Sequence, residues 1–156
     1  MRGSVPGAVS SATACPQPSR RLADTLTPSA RSQRMALIRG KDTGPELMVR
    51  KLVFAAGYRY RLHGAKLPGR PDLVFSGRRK VIFVHGCFWH RHEGCRLARL
   101  PKSRLEFWAD KLEGNRLRDV KNLKALGDMG WAALVVWECE LSDEKALLAK
   151  IRAFLG

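Results

Sequence analysis

The chain has 156 residues, enough for one domain with a hydrophobic core, and its 29 Lys and Arg against 14 Asp and Glu give a formal net charge of +15. A folded body this basic indicates a polyanionic partner, most commonly nucleic acid. No apolar run approaches the roughly 20 residues of a membrane helix, and four cysteines are too few for a disulfide scaffold. We therefore expect a cytoplasmic protein without membrane contacts.

The N-terminal part of the chain is predicted to contain a disordered extension followed by a helix. Residues 1–31 are rich in Ser, Ala, Pro and Gly without apolar periodicity, which places the folded domain at 32–156. The run Asp-Thr-Gly-Pro-Glu at 42–46 is typical of a helix start, and Gly57 ends that helix. We predict that its buried face consists of Leu47, Leu52, Val53 and Ala56.

The remaining elements are predicted in the order strand, strand, strand, helix, strand, helix. Ser103 and Glu106 form a capping-box pattern at the start of the long helix, which can break at Gly114, and Ser142 is expected to cap the last helix. Because a strand that returns after a long helix needs a crossover, the order predicts a mixed sheet with helices on its faces. The predicted ranges are 58–62, 72–75, 80–84, 103–126, 131–137 and 142–154.

Residues 84–95 concentrate histidine, cysteine and aromatic side chains. Thiolate and imidazole are the preferred ligands of zinc, and Cys87, His92 and Cys95 are spaced for one site. Cys139 follows the strand at 131–137 and could supply a fourth ligand. A closed Cys₃His set of this kind indicates a structural Zn²⁺. The alternative interpretation is that the cysteines are simply buried apolar residues.

Asp72 begins the strand that leads, through a hairpin, into the histidine-rich segment. Phosphodiester hydrolysis needs charge stabilisation and an activated water, and Mg²⁺ prefers carboxylate and carbonyl oxygens. We therefore treat Asp72 as a candidate Mg²⁺ ligand. His85 and His90 remain after zinc takes His92 and are candidate general acids or bases. His63 is interpreted as a structural histidine.

Three blocks of this sequence resemble the very-short-patch repair endonucleases. They are Gly-Arg-Pro-Asp at 69–72, Val-Ile-Phe-Val-His-Gly-Cys-Phe-Trp-His at 81–90 and Trp-Glu-Cys-Glu-Leu at 137–141. The resemblance covers the chain from Ser32 onward and implies a restriction-endonuclease-like α/β fold, a three-layer arrangement with a mixed central sheet flanked by helices and a structural zinc site. It also implies a bacterial enzyme that nicks DNA 5′ to the thymine of a T:G mismatch formed by 5-methylcytosine deamination.

The same resemblance implies roles for individual residues. Asp72 and the backbone carbonyl of Val84 would bind the catalytic Mg²⁺. His90 would be the general base, with His85 and Glu46 assisting around the water or phosphate. The fold superfamily's usual second acid and lysine are absent after Asp72, and the two histidines would fill that gap.

The resemblance implies apolar side chains that contact the bases, and we expect basic side chains to contact the phosphates. Phe88, Trp89 and Trp108 would insert into the base stack beside the mismatch, while Met35 and Ile38 would lie against the opposite groove. Periodicity alone leaves open that Trp108 is an ordinary core residue of its helix. Phosphate contacts are expected from Lys102, Arg104, Arg116 and Arg118.

The partner would be double-stranded DNA carrying a T:G mismatch, with accessory mismatch-repair proteins and a repair polymerase acting beside a monomeric enzyme. Two other interpretations stay open at this point. A zinc-stabilised DNA-binding module without catalysis would explain the charge, the aromatics and the cysteines but has no need of Asp72. A restriction-type endonuclease with another target would use the same catalytic groups.

Overall fold

The computed structural model describes residues 27–36 and 40–156, which belong to two separate units. Helix α1 (Pro28–Ala36) lies in the first unit and begins before residue 32, where the folded domain is predicted to start. Met35 is part of α1, whereas Ile38 lies outside the described residues. All other elements belong to the second unit.

Helix α2 (Gly44–Ala55) begins where the sequence predicts. The backbone N–H of Glu46 donates to the hydroxyl of Thr43, and Pro45 lies in the first turn, where its missing N–H removes no helical bond. The predicted buried face is wrong for Leu47, which is 43% exposed. Glu46 and Arg50 take part in the buried face instead, because their charges pair with each other. An apolar periodicity cannot detect a face that contains an ion pair.

The strands described within residues 40–156 form one sheet in the order β1 (Arg61–Leu62), β2 (Leu73–Phe75), β3 (Lys80–His85) and β4 (Ala132–Trp137). Strand β2 pairs antiparallel with both β1 and β3, as expected for an edge strand and a hairpin. Strands β3 and β4 are parallel and are connected through helix α3 (Leu105–Asp128). The predicted mixed sheet is confirmed.

Helices cover both faces of this sheet. On one face, α2 and α4 (Glu144–Leu155) pack against the sheet through a core of nine buried residues that includes Val53, Ile82 and Ile151. On the other face, Leu126 of α3 packs against a smaller cluster that includes Val81. Burial on both faces explains why β3 reads as a continuous apolar run. In the described part of the chain, none of the helices has the length and apolarity to cross a membrane.

The predicted helix caps were wrong at two positions. Helix α3 begins one residue later than a Ser103 cap requires, with Arg104 in the left-handed conformation at φ 54° and without a side-chain cap. In α4 the carboxylate of Asp143 accepts the N–H of Ala146 at 3.0 Å. Asp143 rather than Ser142 is the cap because α4 begins at Glu144, and the Ser142 hydroxyl instead donates to the carbonyl of Cys139.

Helix α3 runs through Gly114 without a break, which gives a test of the fold. A Cβ at Gly114 would meet no atom within 4 Å, so Gly114→Ala should raise the free energy of unfolding by about 0.5–1 kcal/mol through helix propensity. Gly69 has φ +73°, and its Cβ would lie 3.1 Å from Asn122 and Phe83. Gly69→Ala should therefore lower stability. Urea denaturation of both variants checks this, and shifts of the same sign would contradict it.

Candidate active site and metal centre

Two clusters of functional side chains lie where β3 and β4 end. In the parallel register, His85 is the partner of Trp137, so the two strands stop at the same edge of the sheet. Because of this, Cys139 lies next to the loop that follows β3, although more than forty residues separate them in sequence. The predicted approach of Cys139 to this loop is confirmed.

The first cluster contains Cys87, His92, Cys95 and Cys139, whose ligand atoms all lie within 4.8 Å of one another. The Nδ1 atom of His92 is 3.6 Å from the sulfur of Cys87 and 3.3 Å from that of Cys139. Successive turns shape the loop, since His92 N–H donates to the Cys87 carbonyl and Cys95 N–H to the His92 carbonyl. The ring of His92 stacks on Trp137 at 4.2 Å. This is a candidate Cys/His metal site.

The chemistry of these donors fits a divalent cation with a preference for sulfur. Burial raises the pKa of the Cys87 thiol to about 12 and also raises the pKa of Cys139. Neither sulfur would be a thiolate at neutral pH without a positive charge beside it, and a bound cation supplies that charge. Three sulfurs and one imidazole nitrogen suit a tetrahedral zinc site much better than an oxygen-seeking cation.

The second cluster contains His85, His90 and Asp119. The two imidazole rings are stacked in parallel, with their centroids 3.8 Å apart, and His90 Nδ1 lies 2.5 Å from the Asp119 carboxylate. This hydrogen bond places the Nδ1 proton of His90 toward Asp119 and turns Nε2 away from it. His85 is buried, and burial together with the neighbouring His90 lowers its pKa to about 4, so its imidazole is neutral near pH 7.

Asp119 is a candidate functional residue that the sequence did not reveal. It lies on α3, seven residues after Leu112 and seven before Leu126, and both leucines are fully buried. Seven residues are close to two helical turns, so Asp119 lies on the inward face of an amphipathic helix. The sequence did carry one signal for Asp119, because it is an acidic residue at a position where the helical repeat of α3 predicts an apolar one.

Asp72 lies immediately before β2, the strand next to β3. Its carboxylate accepts the backbone N–H of Val84 at 2.7 Å, which brings it beside the main chain of β3. Burial, together with the nearby carboxylate of Glu46, raises the pKa of Asp72 to about 6, although the Val84 hydrogen bond opposes the shift. A partly buried carboxylate is a suitable ligand for a hard cation such as Mg²⁺.

Glu46 is brought to the same region from the start of α2. It is 6% exposed, and both of its carboxylate oxygens accept hydrogen bonds. Oε1 accepts the hydroxyl of Thr43, and Oε2 accepts the backbone N–H of Asp42 and a guanidinium N–H of Arg50. The structure therefore places Glu46 as a fixed charge near Asp72. Arg50 was not singled out from the sequence.

The aromatic residues form a separate cluster next to the His85–His90 pair. Phe88 lies 5.1 Å from Trp89 and 5.5 Å from Trp108 between ring centroids, and the two tryptophans are 6.1 Å apart. Trp108 thus contacts the loop aromatics and belongs to neither core cluster. Phe107, which the sequence reasoning did not select, extends the cluster and is 47% exposed. The ammonium of Lys111 lies 5.6–5.9 Å from three of these rings.

The basic residues expected at the DNA backbone are all exposed: Lys102, Arg104, Arg116 and Arg118. Arg104 stacks over the ring of Phe107 at 4.7 Å, and so lies beside the aromatic cluster. Arg116 is engaged by the Glu113 carboxylate at 2.6 Å, and Arg118 donates to the Asn115 side chain. Lys102 and Arg104 lie just before the first residue of α3, whereas Arg116 and Arg118 lie along its exposed face.

The mixed sheet, the acid and histidine groups at its strand ends, the aromatic cluster and the net charge of +15 together define a DNA endonuclease. Residues 23–96 match the family model described as DNA mismatch endonuclease Vsr. The chain belongs to this family, and the resemblance inferred from its motifs is confirmed. The match begins upstream of Ser32, where the resemblance was expected to begin.

Full-length relatives support the same assignment. The type II nicking enzyme V.XorIIP of Xanthomonas oryzae pv. oryzae is 53% identical over 86% of this chain and 98% of its own length. The type II nicking enzyme V.NmeAIP of Neisseria meningitidis is 43% identical over 79% of this chain and 87% of its own length. The DNA mismatch endonuclease Vsr of Escherichia coli is 41% identical over 81% of this chain and 80% of its own length.

The metal centre gives the second test. Elemental analysis of the purified protein should find about one zinc per chain, and removing it should lower the melting temperature, because metal binding and folding are coupled. Cys139→Ser removes a ligand and should destabilise the protein more than Cys15→Ser, a matched control at a cysteine outside the described residues. A metal-free protein that melts at the same temperature would overturn the zinc assignment.

Proposed function

We propose that this DNA mismatch endonuclease nicks the strand 5′ to the thymine of a T:G mismatch, of the kind produced when 5-methylcytosine deaminates. The observation that carries the proposal is the order Phe88-Trp89-His90 in one loop, with the aromatic pair beside Trp108 and the histidine bonded to Asp119. A group that can enter the base stack and a group that can take a proton are thereby attached to the same short stretch of backbone.

Mismatch recognition would follow from the energetics of base stacking. A T:G wobble pair stacks and deforms differently from a Watson–Crick pair, so separating it from its neighbour costs less than separating a matched pair. Phe88, Trp89 and Trp108 would enter the stack at that point. Met35 and Ile38 are proposed to lie against the opposite groove. Phosphate contacts are proposed for the exposed basic residues Lys102, Arg104, Arg116 and Arg118.

In catalysis, Asp72 and the carbonyl of Val84 would hold one Mg²⁺. When bound, the cation supplies Lewis-acid stabilisation of the charge that develops on the phosphate. Asp119 holds the Nδ1 proton of His90, so that Nε2 can accept the proton of the attacking water. His85 is neutral and stacked on His90, and so would fix the plane of the reacting imidazole. Glu46 would contribute a fixed negative charge beside Asp72.

Zinc at Cys87, His92, Cys95 and Cys139 would give the loop its rigidity. Two of these ligands flank the Phe88-Trp89-His90 segment, so fixing them fixes both the wedge and the base. The proposal includes a restriction-endonuclease-like arrangement of the sheet and helices, a monomeric enzyme, and cooperation with accessory repair proteins and a repair polymerase. Membership of an endonuclease family favours this proposal over a zinc-stabilised DNA-binding module without catalysis.

The proposed specificity is tested with end-labelled duplexes that differ only in one pair: T:G, T:A or C:G. In the presence of Mg²⁺ we expect a single nick, on the thymine strand of the T:G duplex, 5′ to the mismatched base. Labelling each strand separately resolves which one is cut. Equal cutting of the three duplexes, or cutting of both strands, would contradict the mismatch assignment and favour a restriction-type target.

The catalytic roles are tested by replacing carboxylates with amides of the same shape. Asp72→Asn should abolish nicking, and Asp119→Asn should lower its rate by about 10²–10⁴-fold, the contribution typical of an oriented general base. Binding of the mismatched duplex, measured by gel shift, should persist in both variants. Asp128→Asn is the matched control, because Asp128 is exposed near the end of the same helix and pairs with Lys124. Full activity of Asp72→Asn would remove this residue from the mechanism.

A further inference from the structure

The proposed mechanism assigns no role to His63, yet the backbone of this residue is bonded to that of Asp72. The backbone N–H of His63 donates to the carbonyl of Asp72 at 3.3 Å. This bond continues the antiparallel register of β1 with β2, in which Leu62 is the partner of Leu73. His63 is therefore the cross-strand neighbour of Asp72 at the point where the two strands begin to separate.

Asp42 has a corresponding position beside Glu46. Its backbone N–H donates to Oε2 of Glu46 at 2.9 Å, just before α2 begins. Its carboxylate pairs with the guanidinium of Arg50, and that guanidinium lies 3.0 Å from the same oxygen of Glu46. Asp42 thus holds the Glu46 carboxylate directly through its backbone and indirectly through Arg50.

The side chains of Asp42 and His63 face each other. Nε2 of His63 lies 3.7 Å from Oδ1 of Asp42, the oxygen that also contacts Arg50. This is a close polar contact, slightly longer than a direct hydrogen bond. It joins the segment that carries Asp72 to the segment that carries Glu46.

Both residues of this contact have a left-handed backbone. Asp42 has φ 55° and His63 has φ 51°, and this conformation costs energy for any residue other than glycine. Strained residues of this kind are concentrated at functional sites, where the surrounding structure holds them in place. The imidazole of His63 is 34% exposed, so its burial contributes little to the core. A strained residue on each side of one contact indicates a role in the geometry of the site more than in the stability of the fold.

We propose that His63 is a positioning residue for the nicking reaction. Through Asp42 it fixes the carboxylate of Glu46 relative to Asp72, so that the two acidic groups keep one separation when DNA binds. A displacement of about 1 Å at a catalytic group can slow a reaction about 10²-fold. The inference rests on the proposed function, because it assumes that Asp72 and Glu46 act in nicking.

The experiment compares two amides of different length at position 63 in the zinc-loaded, full-length protein. The amide nitrogen of glutamine can occupy the place of the imidazole Nε2, whereas that of asparagine is too short to reach Asp42. With excess enzyme and Mg²⁺, His63→Asn should lower the single-turnover nicking rate on the T:G duplex by about tenfold or more. His63→Gln should restore the rate to within about threefold of the parent. Equal rates in His63→Asn and the parent, or equal losses in the two variants, would overturn the inference.

Melting temperature and DNA affinity distinguish positioning from a structural role. Asparagine tolerates a left-handed backbone better than histidine, so the melting temperature of His63→Asn should be at or above that of the parent. Its dissociation constant for the T:G duplex, measured by gel shift without Mg²⁺, should equal that of the parent. A structural histidine would instead give a lower melting temperature and a nicking rate that falls only with the folded fraction. That result would contradict the inference.

Arg79→Asn is the matched control, because Arg79 is also left-handed, with φ 52°, in the turn before β3. This turn lies at the opposite end of β3 from His85, so the control should nick at the parent rate. A loss equal to that of His63→Asn would mean that the effect is not specific to the contact with Asp42, and the inference would fail.

A double-mutant cycle tests whether His63 acts through Asp42. Asp42→Gly removes the carboxylate from a left-handed position and should slow nicking. Adding His63→Asn should cause no further loss, because both changes break the same contact. Losses that multiply would show that the two residues act independently and would overturn the inference.

Failure of the proposed function gives a different result. Asp72→Asn would then nick at the parent rate, and the inference would fall with the function on which it rests. If Asp72→Asn is inactive while His63→Asn nicks as the parent does, the proposed function stands and only the positioning role of His63 is excluded.

Discussion

The parallel pairing of β3 with β4 is the constraint on which both functional clusters depend. Strand β3 delivers His85 and the loop after it, and β4 delivers Trp137 and Cys139 to the same edge of the sheet. A parallel pair requires a long crossover, and α3 provides it while bringing Asp119 back to His90. A shift of one residue in this register would point Cys139 away from the loop and separate the two clusters from their partners.

One loop combines three different tasks because its side chains alternate in direction. Cys87 and His92 face the candidate metal site, His90 faces Asp119, and Phe88 with Trp89 joins the half-buried aromatic cluster. The backbone–backbone hydrogen bonds of this loop lie within its own short turns, so its position relative to the sheet depends on what its side chains bind. A metal bound on one side of the loop would therefore set the positions of His90 and of the Phe88–Trp89 pair on its other sides.

The parts of the site that sequence predicted are those encoded by nearby residues or by the order of the strands. The close spacing of Cys87, His92 and Cys95 in the candidate metal site is local, and Cys139 was placed through the predicted crossover. Asp119 and Arg50 were not found, because each is a charged residue on the inward face of a helix and is explained only by a partner on that face or on another element. For the same reason Leu47 was wrongly predicted to be buried. Apolar periodicity identifies the inward face of a helix by hydrophobicity alone and does not detect an ion pair on that face.

Trp137 contacts both the Cys/His cluster and the histidine pair. Its indole lies face to face with His92, at 4.2 Å and 4° between the rings, and presents an edge to His85 at 5.4 Å. The rigid, flat side chain of Trp137 thus lies between the candidate metal centre and the histidine pair and packs against both. Close-packed rings cannot tilt independently. A displacement of the His92 ring would therefore shift Trp137, and the stacked His85 and His90 would have to move with it. A disturbance of the candidate metal site would thus alter the geometry of the histidine pair before the domain unfolds.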